Sequence, residues 1–127
     1  MSLKIEIGRG LKEEHRKGMS SEYEDISLLT DINFLYRYFA GHPYGENCIH
    51  TTPITKEEIE YLVEDCTLVL QDHSMCTELL PTTDNFLFVP SKYNNNYFKA
   101  VKKVLTVFQE ILENYDDDHV YSITFTY

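Results

Sequence analysis

Apolar and polar side chains alternate along two stretches near the ends of the chain. The segment 3–7 alternates apolar with charged residues, which predicts a strand near residues 2–7 with one face buried. The segment 119–127 alternates aromatic or β-branched with small polar residues and predicts a second strand. A short apolar run bounded by turn residues predicts a third strand near 85–89, buried on both faces.

Three other segments place apolar residues at helical spacing, and they predict helices at about 31–40, 56–72 and 96–115. The clearest helix start is Thr55 to Glu58, a capping box in which each side chain bonds the backbone amide of the other residue. The last helix has the strongest period and ends at an acidic turn.

These elements predict an α+β fold in which a small sheet is covered on one face by helices. Residues 1–127 are expected to form a single domain around one core. The stretch at about 9–21 is charged, contains glycine and has no sustained period, so it is predicted to be a mobile loop. Residues 42–52 have turn chemistry and are predicted to form a connecting loop.

Charge narrows the possible partners. The chain has 21 acidic and 11 basic residues, a formal net charge of −10 that repels bare nucleic acid and anionic membranes. We therefore expect no direct nucleic-acid binding and no membrane binding, whereas an acidic face can steer a basic partner. No apolar run is long enough to span a bilayer, and three cysteines without dense spacing indicate reduced thiols in the cytoplasm.

Catalytic signatures are missing from the sequence. It has no serine elbow, no P-loop and no dinucleotide-binding glycine pattern, so binding is favoured over catalysis and no cofactor is expected. Cys48, His50, His73 and Cys76 offer the ligand types of a structural zinc site, but their spacing matches no recognised zinc knuckle. No metal is predicted, and a small metal-stabilised domain or hydrolase using these four residues stays an alternative.

Polar aromatic residues are concentrated in two clusters, which we predict to bind a ligand. Tyrosine combines rigid contact area with a hydrogen-bonding tip, which suits planar ligands and protein surfaces. The first cluster is Tyr36, Arg37, Tyr38, His42 and Tyr44, and the second contains Lys92, Tyr93, Asn95 and Tyr97. In the alternative interpretation, half of the tyrosines are core residues with their hydroxyls at the rim.

The order of several motifs resembles that in a family of short uncharacterised bacteriophage and prophage proteins. The resemblance rests on Leu79-Leu80-Pro81-Thr82, the aromatic run Phe86-Leu87-Phe88, and the aromatic helix and final strand around them. It covers most of residues 30–127. It implies a phage protein in the cytoplasm of an infected host cell, and it implies no mechanism.

The function expected from these observations is a phage accessory protein that antagonises host defence by binding. In the leading version it sequesters a nucleotide-like signalling ligand, with aromatic stacking and with Arg37 or Lys92 on the phosphate. The alternative is an acidic protein that inhibits a host nucleic-acid-binding enzyme by occupying its basic groove. The sequence leaves the oligomeric state open.

Overall fold

The protein is described by a computed structural model over residues 3–11, 24–40, 49–83 and 92–126. The strands in these ranges are β1 (Lys4–Leu11), β2 (Glu24–Thr30), β3 (Ile49–Ile54) and β4 (His119–Thr126). The helices are α1 (Asn33–Ala40), α2 (Lys56–Gln71), the short α3 (Cys76–Leu79) and α4 (Asn95–Glu113), and a 3₁₀ turn spans His73–Met75. The α+β class predicted from the sequence is confirmed.

The described strands form one antiparallel sheet in the order β2-β1-β4-β3. Its central pair joins the strands predicted at the two ends of the sequence, so that Lys4 lies opposite Thr126 and Arg9 lies opposite Tyr121. Strands β2 and β3 are therefore the edges of the sheet in this part of the chain.

One face of the sheet carries the core. The side chains of Ile5, Ile7 and Ile123 are fully buried, whereas Lys4 is exposed on the other face. These inward-facing side chains of the sheet belong to the same apolar cluster as the apolar stripes of α2 and α4, which face the sheet. The buried members of those stripes are Ile59, Leu62, Cys66, Val69, Tyr97, Val101, Val104, Phe108 and Ile111.

The predicted capping box of α2 is confirmed. The Thr55 hydroxyl accepts a hydrogen bond from the Glu58 amide at 3.1 Å, and the Glu58 carboxylate accepts one from the Thr55 amide at 3.2 Å. The 3₁₀ turn after α2 is capped by Asp72, whose carboxylate accepts a hydrogen bond from the Ser74 amide at 3.1 Å.

Several predicted boundaries need correction. Strand β1 continues to Leu11, so residues 9–11 belong to the sheet and not to the predicted loop, whose remainder from 12 to 21 lies outside the described residues. The predicted loop 42–52 overlaps β3, which begins at Ile49, and β2 was not predicted. The predicted strand near 85–89 lies outside the described residues.

The first helix begins at Asn33, two residues later than predicted. Asp31 has a positive φ of 57°, which no helical residue has, and its carboxylate accepts a hydrogen bond from the Leu3 amide at 2.8 Å. Asp31 therefore joins the end of β2 to the start of β1 and does not begin the helix.

Candidate functional site

Two of the predicted ligand-binding tyrosines are core residues. Tyr36 is 1% exposed and packs edge-to-face on Phe125, with ring centroids 5.2 Å apart. Tyr97 is 7% exposed, and its hydroxyl donates a hydrogen bond to the Leu80 carbonyl at 2.8 Å. Burial raises the pKa of Tyr97. Both rings are therefore packed in the core.

Other members of the two clusters meet at segment 80–83. From α1, Arg37 donates through Nη1 to the Thr82 carbonyl at 2.7 Å. From the second cluster, the Tyr93 hydroxyl accepts from the Thr82 amide at 3.1 Å. Both clusters therefore converge, but they do so around the backbone of the protein itself.

Asn33 completes this arrangement. Its side-chain amide donates to the Thr83 carbonyl at 2.9 Å and accepts from the Thr83 amide at 2.7 Å. The side chain thus pairs with the Thr83 peptide groups as a neighbouring strand would. We refer to Asn33, Arg37, Tyr93 and Tyr97 as the clamp, because each binds the backbone of residues 80–83.

The space left beside the clamp is small. A cleft of about 70 Å³ lies between Asn33, Lys92 and Asn94, whereas sites for drug-sized ligands have volumes of about 300 Å³ or more. Lys92 and Asn95 are exposed, and His42 and Tyr44 lie outside the described residues. The described part of this region therefore has room for a small polar group, and not for a nucleotide.

Tyr38 contacts α2, where its hydroxyl donates to the Asp65 carboxylate at 3.0 Å. Burial raises the pKa of Tyr38 and also that of Asp65. This pair joins α1 to α2, whereas the clamp residues bind segment 80–83.

The four candidate metal ligands are only partly described. Cys48 and the side chain of His50 lie outside the described residues. The exposed His73 ring stacks on Phe98 at a centroid distance of 3.8 Å, and Cys76 is buried. Among the residues that the structure describes, no three His, Cys, Asp or Glu side chains are grouped so as to hold a metal ion.

A larger cleft, which the sequence did not reveal, lies between β2 and the C-terminal half of α4. Its volume is about 540 Å³, within the range of sites that bind sizeable ligands. Its walls carry the carboxylates of Glu24, Asp25, Glu110 and Asp116. We call it the acidic cleft. Among its described lining residues, Arg9 is the one basic side chain.

Arg9 reaches the acidic cleft because it continues the inward-facing row of Ile5 and Ile7 on β1. Its Nε donates to Glu24 at 2.9 Å, and its Nη1 donates to the Tyr121 hydroxyl at 3.1 Å. These hydrogen bonds, the one to Tyr121 foremost, raise the pKa of Arg9, which stays charged. One cleft carboxylate is therefore already paired with an internal cation.

A β-bulge shapes the wall of the acidic cleft. Ile7 lies opposite Ser27, but the next residue of β1, Gly8, lies opposite Asp25, so Ile26 is the extra residue of β2. A bulge bends its strand and redirects neighbouring side chains. It explains how both Asp25 and Ile26, adjacent in sequence, line the same cleft.

The electrostatics of the acidic cleft favour a cation. The pKa of Asp116 is lowered, chiefly by the hydrogen bond that its carboxylate accepts from the Asp118 amide, so this group is ionised at neutral pH. The negative end of the α4 dipole lies beside the cleft, and the last turn of α4 has no basic residue. Since the carboxylates do not gather around one point, the arrangement suits an extended cationic group better than a metal ion.

Sequence reasoning missed this cleft because its walls come from four separated stretches of the chain, at positions 9, 24–27, 107–116 and 121. One signal was present. Arg9 follows Ile5 and Ile7 at a spacing of two, so in a strand its side chain faces the same side as theirs. A charged residue at such an inward position indicates a polar partner or a cleft that admits water.

Comparison with known proteins found no relative of this chain. Neither family models, nor curated proteins, nor solved structures match this chain. Within the described ranges, none of the helices has both the length and the apolar character needed to cross a membrane.

Proposed function

We propose that this chain is a binding protein that acts without catalysis, and that its acidic cleft receives a basic segment of a partner protein. The observation that carries the proposal is the cleft itself: about 540 Å³, with four carboxylates around Arg9 at the edge of the sheet. Arg9 is already bonded to Glu24, and the Asp116 carboxylate lies 2.9 Å from His119 Nδ1, so Asp25 and Glu110 are the cleft carboxylates left to attract a partner's cations.

The partner class follows from charge and from the phage resemblance. A net charge of −10 accelerates encounter with a basic surface and repels nucleic acid. The groove of a nucleic-acid-binding enzyme is such a surface, and a phage protein that occupies it blocks the enzyme. The function we propose is therefore inhibition of a host nucleic-acid-binding enzyme in the cytoplasm of an infected cell.

The geometry supports sequestration of a nucleotide-like ligand less well. Arg37, proposed to bind phosphate, donates to the Thr82 carbonyl, and the cleft beside Lys92 has a volume of only about 70 Å³. Stacking on Tyr36 or Tyr97 would require these rings to leave the core. Calorimetry with a panel of cyclic and ADP-ribose-type nucleotides tests this second candidate directly.

A matched pair of variants tests the proposed function. In the cleft variant, Asp25→Asn and Glu110→Gln remove two carboxylates from the acidic cleft, and both residues are exposed. In the control variant, Glu60→Gln and Glu64→Gln remove two carboxylates from the exposed side of α2. Each variant changes the net charge equally, so the two differ only in where the charge is removed.

Each protein is immobilised and exposed to bacterial lysate at low and at high ionic strength. We expect the wild type and the control variant to retain the same nucleic-acid-binding enzyme, and the cleft variant to retain much less of it. Salt should release the enzyme, because ion pairs at exposed sites are screened. Equal loss in both variants, or retention that salt does not affect, contradicts the proposal.

A further inference from the structure

Among the described strands, β2 is the edge of the sheet that lies directly beside the acidic cleft. In the described part of the chain β2 pairs only with β1, so the backbone groups on its outer side have no neighbouring strand. Two apolar side chains of β2 are also exposed, Leu28 at 56% and Ile26 at 38%. Exposed edges with apolar side chains are templates for pairing with another chain.

The opposite edge is protected in a way that β2 is not. Strand β3 contains Pro53, and a proline in an edge strand typically has its missing amide on the solvent side. Strand β2 reads Glu-Asp-Ile-Ser-Leu-Leu-Thr, with neither proline nor lysine. The two edges of the sheet therefore differ, and within the described residues β2 is the edge better suited to accept a strand.

We infer that the partner binds by adding an extended basic segment to the edge of β2, with its lysine or arginine side chains in the acidic cleft. Along a strand, successive side chains face opposite sides of the sheet. Alternate residues of the added segment would thus reach the cleft carboxylates on the helix side. The residues between them would cover Leu28, which lies opposite Glu6 on the other face.

Charge complementarity identifies this occupant. Glu24 and Asp25 belong to β2 itself, so a basic segment meets opposite charge along the same strand with which it pairs. A second copy of the chain would bring another net charge of −10 to the same edge. This inference rests on the proposed function, because it specifies how the acidic cleft receives its partner.

The test uses a defined peptide, so it does not depend on the natural partner. The probe has seven residues, the length of β2, with alternating lysine and valine and blocked ends. The control peptide has the same side chains but N-methyl groups on all its backbone amides, so it keeps its charge and cannot donate ladder hydrogen bonds. Affinity is measured by fluorescence anisotropy, and the contact is located by NMR shifts and amide exchange.

We expect the probe to slow amide exchange in β2 and to shift the resonances of residues 24–30. The N-methylated peptide should bind at least about tenfold more weakly, since several backbone hydrogen bonds are lost. The cleft variant should bind the probe about threefold to fivefold more weakly, as expected for exposed ion pairs. The variant altered at Glu60 and Glu64 should bind it as the wild type does.

The two proposals fail in different ways. If both peptides bind equally and only the cleft variant weakens them, the edge pairing is overturned and the acidic cleft stands. If the cleft variant and the α2 control weaken binding equally, the attraction is diffuse and both proposals fail. Shifts in β2 that appear on concentrating the protein without peptide would show that a second copy occupies the edge, which also overturns the inference.

Discussion

Replacing Asn33 by alanine tests whether the polar residues around α1 hold segment 80–83 in place or bind a ligand. Asn33 is the first residue of α1 and is 3% exposed. Its side chain makes two hydrogen bonds to the Thr83 peptide groups, at 2.7 and 2.9 Å. Alanine removes both bonds, and it leaves a carbonyl and an amide in a half-buried place without these partners.

The expected loss of stability follows from those two hydrogen bonds. A typical intramolecular hydrogen bond stabilises a protein by about 1 kcal/mol, and a buried polar group left unpaired costs about 1 to 3 kcal/mol. Thr83 is only half-buried, so water recovers part of this loss. We expect the free energy of unfolding to fall by about 2 to 4 kcal/mol, which is a large fraction of the roughly 5 to 15 kcal/mol of a whole domain.

Urea unfolding followed by circular dichroism measures this change from the shift in midpoint at constant slope. The control is Asn95→Ala, at an exposed position in the first turn of α4, with an expected change within about 0.5 kcal/mol. Asn33→Asp should also destabilise, because its carboxylate would face the Thr83 carbonyl. A loss below about 1 kcal/mol for Asn33→Ala would refute the view that the clamp holds segment 80–83.

Two further predictions concern titratable groups. Burial raises the pKa of Cys66 to about 12, so in native buffer a thiol reagent should label Cys66 only as fast as the protein unfolds. The extent of labelling is measured by mass spectrometry of the Cys66 peptide. Labelling as fast in native buffer as in urea would contradict the prediction. Hydrogen bonds from the Ser74 hydroxyl and amide lower the pKa of Asp72 in the folded protein. As the pH falls, Asp72 is therefore protonated in the unfolded chain before it is protonated in the folded protein. The stabilisation is lost as the pH falls through the lowered pKa. Asp72→Asn keeps an acceptor oxygen, and its urea midpoint should fall less steeply with acid than that of the wild type; equal steepness would exclude the contribution.

Local patterns predicted the elements that bury a regular face. The helices α2 and α4 and the strands β1 and β4 have apolar residues at constant spacing, and all of them are present. Strand β2 lacks that signal, since Leu29 is buried while Leu28 is exposed and the bulge at Ile26 interrupts the alternation. Strand β3 contains Pro53 and has no regular apolar spacing, and among the described strands it pairs with β4 alone.

The candidate sites show the same division between local and long-range information. Sequence could locate the polar aromatic residues, but it could not show that Arg37 and Tyr93 both bond to Thr82, which is distant from each in the chain. The acidic cleft exists only after the strand order brings Arg9 beside Tyr121 and Glu24. No periodicity in one segment contains that information.

The pairing of β1 with β4 has a consequence for the order of folding during synthesis. Strand β1 is synthesised before the other described strands, but its neighbour in the middle of the sheet, β4, is the last described element, with Lys4 opposite Thr126. Strand β3 also pairs with β4 and has no other described neighbour. Among the described strands, a nascent chain that stops before His119 leaves β1 with β2 alone and β3 without a neighbour, so assembly of this sheet must wait until β4 leaves the ribosome.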